Sequence, residues 1–474
     1  MKADTTRASR LKTLLIAGAS ALAVAGCATT GSDQAVVQTL VGDRVAHEIS
    51  LPTTGTSTAL SPTALDERLT QPLSAAAAVQ LAILNNRGLR ASLAGLGVVE
   101  ADLVQAGRLV NPVFSFSNIR NSDAQSIERV LIVNLLAIAT MPLRQTVAGR
   151  QLDAARLETA SDVVRLAADT RKAWVAAVAA QESVKYFEQV RTAAEASAEL
   201  ASRMARVGNF TKLAYMREQA FYAEATAQLA RARLAAATER ERLTRLLGLS
   251  SPNLGYTLPD RLPDLPATPI EPANAEQMAL DRRLDVQLAR RSTEALASDL
   301  GLSRATRFIN VLEAGYANES ETGERRKNGY EIEISIPIFD WGDAKLARAE
   351  AVYMQSVHRT AEVALAAQSE VRASYQAYRT AYDLARHYRD EIVPLRKRIA
   401  DENMLRYNGM LIGVFELLAD SREQVASVNG YLESLRDFWL AQADFDLAQS
   451  GAAQNGATRT RGAAMQSGSA RAGH

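Results

Sequence analysis

The fold is indicated most clearly by the stretch Tyr330-Glu331-Ile332-Glu333-Ile334-Ser335-Ile336-Pro337-Ile338-Phe339-Asp340-Trp341-Gly342, because the sequence pattern changes at its end. Apolar side chains occupy every second position up to Ile338, with Glu331 and Glu333 between them. A period of two with β-branched residues predicts a strand that has one apolar and one polar face. From Asp343 onward the pattern is helical, with hardly a break, to about residue 450. The chain is therefore predicted to join a short two-faced strand to a very long helix.

The composition favours a mostly helical protein. Of the 474 residues, 47% are hydrophobic and 23% are charged, and the formal net charge is +1. Pro and Gly are sparse while helix-forming residues dominate. A chain so close to neutral gives no electrostatic reason to expect nucleic acid as a partner. No apolar run of about 18 residues, the length of a membrane-spanning helix, follows the first thirty positions. Any membrane-spanning part is therefore predicted to consist of strands.

The N-terminus has the pattern of a bacterial lipoprotein signal. A basic segment, residues 2–12, precedes an apolar stretch that starts at Leu14, which is typical of a secretory signal. The small residues before Cys27 resemble a lipobox, in which the cysteine is acylated and becomes the first mature residue. Ala28 at the next position resembles the choice for outer-membrane sorting. An ordinary signal peptide with a chance cysteine is the alternative. Cys27 is the only cysteine, so no disulfide is expected.

The first half of the mature chain alternates between helical and strand patterns. Ser74 is a plausible N-cap of a helix that Asn111 and Pro112 end. Residues 113–117 alternate as a strand does, whereas residues 130–139 are apolar on both faces and fit either a strand or a buried helical piece closed by Pro142. Residues 143–207 then predict a helix of about 95 Å.

A turn at Gly208 and Asn209 ends this helix, and a second helix is predicted over residues 211–247, with Gly248 as a reasonable C′ residue. The second half of the chain repeats the first, because residues 275–280 echo residues 78–83 and a helical pattern over residues 343–407 echoes the first long helix. The predicted segments are a signal peptide (1–26), a lipidated, extended tether (27–72), a first repeat (73–250, hairpin 113–138), a Pro-rich linker (251–272), a second repeat (273–451, hairpin 308–339) and a disordered tail (452–474).

Two hairpins supply four strands, which are too few to close a transmembrane barrel alone, since the smallest such barrels have about eight. Strands in lipid must close, because open edges leave backbone groups unpaired. The chain is therefore predicted to associate, and three copies give twelve strands and a bundle of long antiparallel helices. The predicted fold class is mainly α with a membrane β-barrel portion, built from a duplicated helix–hairpin–long helix–turn–helix unit.

These residues resemble the TolC-like outer-membrane efflux protein family. The duplication, the opening at residues 78–89, the Pro-Ile-Phe-Asp-Trp-Gly motif at residues 337–342 and the Tyr-Asn-Gly turn at 407–409 carry the resemblance, which covers residues 73–451. With the lipobox, the chain is similar to the lipoprotein branch of that family. The resemblance implies a homotrimeric channel in the Gram-negative outer membrane, continued by a helical tunnel through the periplasm. It also implies a periplasmic adaptor and an inner-membrane pump as partners.

The resemblance assigns roles to several residues. The turns Val207, Gly208, Asn209 and Asn408, Gly409, Met410 resemble the periplasmic tips that contact the adaptor. A simple chain reversal at glycine is the alternative for both turns. The carboxylates of Glu416 and Asp420, four residues apart on one helix face, match the family's periplasmic gate approximately; a solvated outer face is the alternative. Because the isoleucines opposite suit lipid, Glu331 and Glu333 are predicted to face the barrel lumen.

Two other functions remain open at the sequence level. One is the outer component of a type I protein-secretion system, and the other is a periplasmic coiled-coil scaffold lipoprotein without a pore. The strict alternation around residue 332 argues against the scaffold. The sequence contains no Ser-His-Asp arrangement, phosphate-binding glycine loop or Cys/His cluster, so we expect no enzyme, metal or cofactor.

Overall fold

A computed structural model describes residues 32–42, 44, 51, 69–122, 124–250, 255–271, 274–308 and 311–451. The predicted signal peptide, Cys27 and the predicted tail 452–474 lie outside these residues. The tether is not extended throughout, because helix α1 (Ser32–Gly42) forms within it. Val37 and Val41, four residues apart, are fully buried on one face of α1, in a cluster with side chains of the long helix described below. Burial of this apolar stripe explains a helix that the polar composition of the segment did not predict.

The first half contains four helices and a hairpin. Their bounds are α2 (Ala75–Asn85), α3 (Arg87–Ala106), β1 (Val113–Arg120), β2 (Gln125–Asn134), α4 (Leu135–Arg206) and α5 (Lys212–Leu247). The predicted caps are confirmed, since the Ser74 hydroxyl accepts a hydrogen bond from the Ala77 amide and Gly248 is left-handed at φ +67°. The 72 residues of α4 span about 108 Å.

The second half has the same order of elements. Its members are α6 (Ala275–Arg282), α7 (Leu284–Ala305), β3 (Leu312–Glu321), β4 (Lys327–Ile334), α8 (Asp343–His387), a π-helical turn (Tyr388–Ile392), α9 (Val393–Asn408) and α10 (Val414–Ser450). A proline inside a helix kinks or breaks it, and Pro394 follows the π-helical turn by two residues. An added Cβ at Gly430 of α10 would lie 2.7 Å from Cε1 of Tyr388, so this glycine lets the turn pack closely.

The start of α4 corrects two predictions. The second strand ends at Asn134, not near residue 138, because the Asn134 side chain accepts a hydrogen bond from the Ala137 amide and starts the helix there. Pro142 therefore does not close a segment but lies inside α4. The predicted single opening helix is likewise two, because Asn86 caps α3.

The second hairpin is shorter than its sequence pattern. Pairing in β4 stops at Ile334, although apolar residues alternate as far as Ile338. Pro337 has no amide hydrogen to donate to a ladder. Gly342 then adopts φ +72°, where an added Cβ would lie 2.8 Å from the Arg307 carbonyl oxygen. The turn into α8 is thus a close backbone contact that only glycine fits.

The Pro-rich linker, which we call the strap (residues 255–271), is part of the core. Tyr256, Leu258, Leu262 and Leu265 are buried among side chains of α2, α4, α5, α8 and α10. Tyr382 of α8 donates a hydrogen bond to the Ala267 carbonyl at 2.8 Å, and Trp439 of α10 donates to the Pro263 carbonyl at 3.0 Å. The strap therefore fixes both long-helix pairs at one level.

In each half, the residue between the two short opening helices donates a hydrogen bond to the end of the last long helix of that half. The Asn86 side-chain Nδ2 donates a hydrogen bond to the Leu246 carbonyl at the end of α5. In the second half, Arg283 takes the corresponding place and donates to the Ala448 carbonyl at the end of α10, at 2.8 Å. The buried Arg283 guanidinium also pairs with Asp285 and Glu370, so its charge is compensated.

Candidate channel surfaces

The four strands form one antiparallel sheet in the order β1-β2-β3-β4. The two halves meet at the β2–β3 pairing, which runs from Ser126–Glu321 to Asn134–Glu313. Directly paired residues place their side chains on the same face, so the register assigns every strand residue to one of two faces. The outer edges of β1 and β4 have no partner strand among the residues that the structure describes.

One face, the acidic face, holds Glu331 and Glu333. The register adds four glutamates that the sequence did not single out: Glu128, Glu313, Glu319 and Glu321. The single basic strand residue on this face is Lys327, whose ammonium lies 3.7 Å from Glu321 and 2.8 Å from Glu324 of the adjoining turn. Six carboxylates against one ammonium give this face a strong negative potential.

The other face, the apolar face, carries exposed aliphatic and aromatic side chains. They are Phe114, Phe116, Leu131, Tyr316, Tyr330, Ile332 and Ile334. Tyr330 is 90% exposed, and its ring meets that of Tyr316 edge-on at 6.0 Å. A contiguous exposed apolar surface of this kind marks a contact with another apolar medium or molecule.

The two predicted tips are exposed helix ends with the same hydrogen bonds. In the first tip, the Gly208 amide donates to Ala205 and the Asn209 amide to Met204. In the second, Met410 donates to Tyr407 and Leu411 to Arg406. Both are Schellman-type ends, in which the first of the two donor residues has a left-handed backbone.

The residue in that position differs between the tips. Gly208 takes it in the first tip at φ +76°, as glycine prefers, but Met410 takes it in the second at φ +60°. The expectation that glycine reverses the chain is therefore wrong for Gly409, whose φ is −80°. Met410 is 93% exposed and Leu411 is 77% exposed, so the second tip presents two apolar side chains.

The two predicted gate carboxylates lie on α10, with Glu416 in the first turn of the helix and Asp420 one turn later. Glu416 is exposed and Asp420 is half-buried. The Oδ2 atom of Asp420 is buried and has no hydrogen-bond partner within the described part of the chain. The structure thus places the pair on one helix near the second tip.

Close to the pair, α10 is tied to the hairpin of α4 and α5. Arg422 forms an ion pair with Glu218 of α5, which is 2% exposed and also accepts a hydrogen bond from Ser197 of α4 at 2.7 Å. Tyr186 of α4 donates to the Val425 carbonyl at 3.1 Å. Burial raises the pKa of Tyr186 to about 12, so its hydroxyl keeps the proton that it donates. These contacts join the two helical hairpins just above the tips.

Two features are absent from the described residues. No helix among them is both long and apolar enough to cross a membrane. No group of three or more His, Cys, Asp or Glu side chains in this part of the chain is arranged to hold a metal ion.

Comparison with known proteins identifies the fold. No protein-family model matches the chain, and no curated protein does. Solved structures do match over most of its length. The Campylobacter jejuni CmeC outer-membrane channel has 15% identity and a TM-score of 0.70, with 84% of this chain and 89% of that chain covered. The open state of the Neisseria gonorrhoeae MtrE outer-membrane channel has 16% identity and a TM-score of 0.66, with 86% and 98% covered.

The chain has the fold of these outer-membrane channels. CusC, whose structures describe transmembrane channel formation, gives the same result at 15% identity and a TM-score of 0.66, covering 86% of this chain and 98% of that one. Within this fold, the acidic face lies on the sheet, the two tips lie at helix ends, and the Glu416–Asp420 helix face lies near the second tip. The sequence pattern found one strand of the acidic face, and only the register between strands found the rest.

Proposed function

We propose that the chain is the outer-membrane exit duct of a tripartite efflux system, which conducts substrates passively from a periplasmic adaptor and an inner-membrane pump. The observation that carries the proposal is the sheet, whose six strand glutamates lie on one face, whose exposed aromatic and isoleucine rows lie on the other, and whose two outer edges are open. A sheet with an acidic and an apolar face suits a wall between water and lipid. The fold shared with outer-membrane channels supports the same assignment.

The open edges support a homotrimer. Four strands cannot enclose a pore, and unpaired edges cannot persist in lipid. Three copies close twelve strands, with the apolar face toward lipid and Glu331 and Glu333 toward the lumen. The long helices, of which α4 spans about 108 Å, then form a periplasmic tunnel that ends at the two tips. In this assembly the tips contact the adaptor, and Glu416 and Asp420 form rings of carboxylates that gate the entrance.

The lipid anchor is a second, separate part of the proposal. Acylation of Cys27 would hold the N-terminus in the same membrane as the sheet. A pore-free scaffold held only by this anchor would become soluble in a Cys27→Ser variant. We expect that variant to stay in the membrane fraction, because the sheet remains inserted. Its appearance in the soluble fraction, with its helical circular dichroism unchanged, would favour the scaffold.

Single-channel conductance in planar bilayers tests the duct. The wild type is expected to give discrete, cation-preferring steps, and Glu416→Ala/Asp420→Ala to give larger steps with weaker cation preference. Unchanged steps in the double variant would reject the gate and keep the channel. An absence of steps in the double variant as well, from protein shown to be folded and inserted, would contradict the duct.

A further inference from the structure

The two strand arginines lie on the opposite face from the strand glutamates. The apolar face carries two arginines, Arg120 and Arg129, and no strand carboxylate. All six strand glutamates lie on the acidic face, together with Lys327. Guanidinium groups are unfavourable on a face that contacts only hydrocarbon, because burying each one there costs free energy. Their position along the strands therefore needs an explanation.

The arginines lie beyond the apolar rows, toward the hairpin turns. From Ile334 toward the hairpin turn, the successive rows on this face contain Ile334, Ile332 and then Tyr330, which pairs with Tyr316. The next row on this face contains Phe116, Arg129, Asn318 and Asn328, and the outermost pair is Arg120 with Gln125. Ile334 and Tyr330 are separated by about 13 Å along the strand. Arg129 thus follows directly after the tyrosine row.

Aromatic side chains lie at both limits of the apolar rows. Tyr316 and Tyr330 mark the limit next to Arg129. At the opposite limit, beyond the end of β4, Phe339 is 98% exposed and Trp341 is 54% exposed. Aromatic girdles of this kind lie at the two interfaces between hydrocarbon and headgroups. The tyrosine row is then the interface on the side of the hairpin turns, and Arg129 is at headgroup level.

The arginines have hydrogen-bond donors available for an external acceptor. Arg129 Nη1 donates to Asn318 Oδ1 at 3.2 Å, and its Cζ lies 6.0 Å from the centre of the Phe116 ring. No described carboxylate pairs with Arg129 or with the exposed Arg120. A guanidinium has five N–H donors, so one bond to an amide leaves Arg129 able to bind a second partner. Asn318 and the Phe116 ring hold its side chain on the apolar face.

We propose that Arg129 and Arg120 bind the phosphate groups of lipid headgroups in the leaflet at the turn end of the sheet. This inference rests on the proposed insertion of the sheet into the outer membrane. Guanidinium groups bind phosphate in a bidentate manner and keep their charge at all relevant pH values. The ligand class is a phosphorylated glycolipid, held at the outer row of each of three identical sheets. The carboxylates on the opposite face do not compete for these arginines.

Native mass spectrometry of the detergent-purified trimer tests this binding. The probes are a bisphosphorylated lipid A and the same lipid with its phosphates removed. Wild type is expected to bind the phosphorylated form, and Arg120→Gln/Arg129→Gln to weaken that binding at least about tenfold, because two charge-assisted contacts per copy are lost. Arg203→Gln/Arg206→Gln removes the same charge near the first tip and should bind as wild type does. Arg129→Lys keeps the positive charge but lacks the two parallel N–H donors of a guanidinium, and it is expected to bind at an intermediate level. This variant replaces the double variant if the latter does not fold.

Three results would overturn the proposal. They are equal affinity in wild type and the double variant, equal binding of the phosphate-free lipid, and displacement by inorganic phosphate at the concentration of the lipid. The last would mark a site for free phosphate. Conductance separates this inference from the proposed function. Lipid binding that depends on phosphate, with no steps from the wild type or from Glu416→Ala/Asp420→Ala, would reject the duct alone. Conducting protein without a preference for the phosphorylated lipid would reject this site alone.

Discussion

Single residues distinguish the two tips, which otherwise share one geometry. Met410 has a left-handed backbone that costs a non-glycine residue about 1–2 kcal/mol, whereas Gly208 has little such cost. The Met410 side chain is almost fully exposed, so packing within the described chain does not compensate for the cost of its left-handed backbone. A strained, exposed apolar residue is consistent with the adaptor contact proposed for this tip.

Met410→Gly should stabilise the second tip by about 1 kcal/mol, because the left-handed strain is removed. Hydrogen exchange of the amides around residues 405–411, followed by mass spectrometry, measures the change as slower exchange. Gly208→Ala is the matched control and should speed exchange at the first tip. Unchanged exchange in Met410→Gly, together with the expected change in Gly208→Ala, would show that Met410 is not strained.

The ion pair between Arg422 of α10 and the buried Glu218 of α5 joins the two helical hairpins near the tips. Arg422→Ala leaves the buried Glu218 carboxylate with only Ser197, which should lower the free energy of unfolding by about 2 kcal/mol. The freed α10 should also open the pore more often in bilayers. Thermal unfolding and open probability measure the two effects.

Arg396→Ala is the control for Arg422→Ala, because its pair with Glu423 is exposed and lies between α9 and α10. Its loss should change stability by less than about 1 kcal/mol and leave the open probability alone. Equal effects of the two substitutions would mean that Arg422 does not restrain α10. A Glu218→Ala/Arg422→Ala protein should be more stable than Arg422→Ala, since no unpaired buried charge remains.

Among the secondary-structure elements, the sheet carries the carboxylates that would line the proposed lumen. Glu331→Gln/Glu333→Gln keeps the shape of β4 and removes two carboxylates per copy. In a water-filled lumen, a carboxylate about 10 Å from a cation contributes about 0.4 kcal/mol. Six such losses in a trimer should lower the cation preference severalfold, more at low salt than at high salt. Reversal potentials under a salt gradient measure this preference.

Substitutions on the apolar face provide the control for the glutamate pair. Ile332→Val/Ile334→Val alters the same strand without altering charge and should leave the reversal potential unchanged. If the glutamate variant also keeps the wild-type reversal potential, the acidic face does not line the conducting path.

Local sequence patterns predicted the elements whose cause is local. Alternation around Ile332 identified β4, and Ser74 and Gly248 fixed helix ends through their own backbone and side-chain chemistry. Features that depend on distant partners were missed. The helix α1 forms because Val37 and Val41 are buried on one face, and the strap is ordered because distant long helices cover it. Glu128 and Glu313 joined the acidic face only through strand register, which a single strand does not encode.

At the scale of the whole molecule, the open edges of β1 and β4 must meet between copies in the proposed trimer. Within one sheet these edges are three strand spacings, about 14 Å, apart, whereas neighbouring strands in a closed barrel lie about 4.8 Å apart. A short bismaleimide can therefore join cysteines on β1 and β4 only between copies. The sequence suits this test, since Cys27 is the only native cysteine and Cys27→Ser leaves none.

Cross-linking of Phe116→Cys/Ile332→Cys in the Cys27→Ser background, in native membranes, tests the trimeric barrel most directly. Both positions lie on the apolar face, one on each edge strand. A closed trimeric barrel should give a covalent trimer on a denaturing gel. Phe116→Cys alone should give dimers at most, because one cysteine per copy cannot link three chains. Monomers or dimers alone, from a double variant shown to be labelled at both cysteines, would contradict closure of the sheet by three copies.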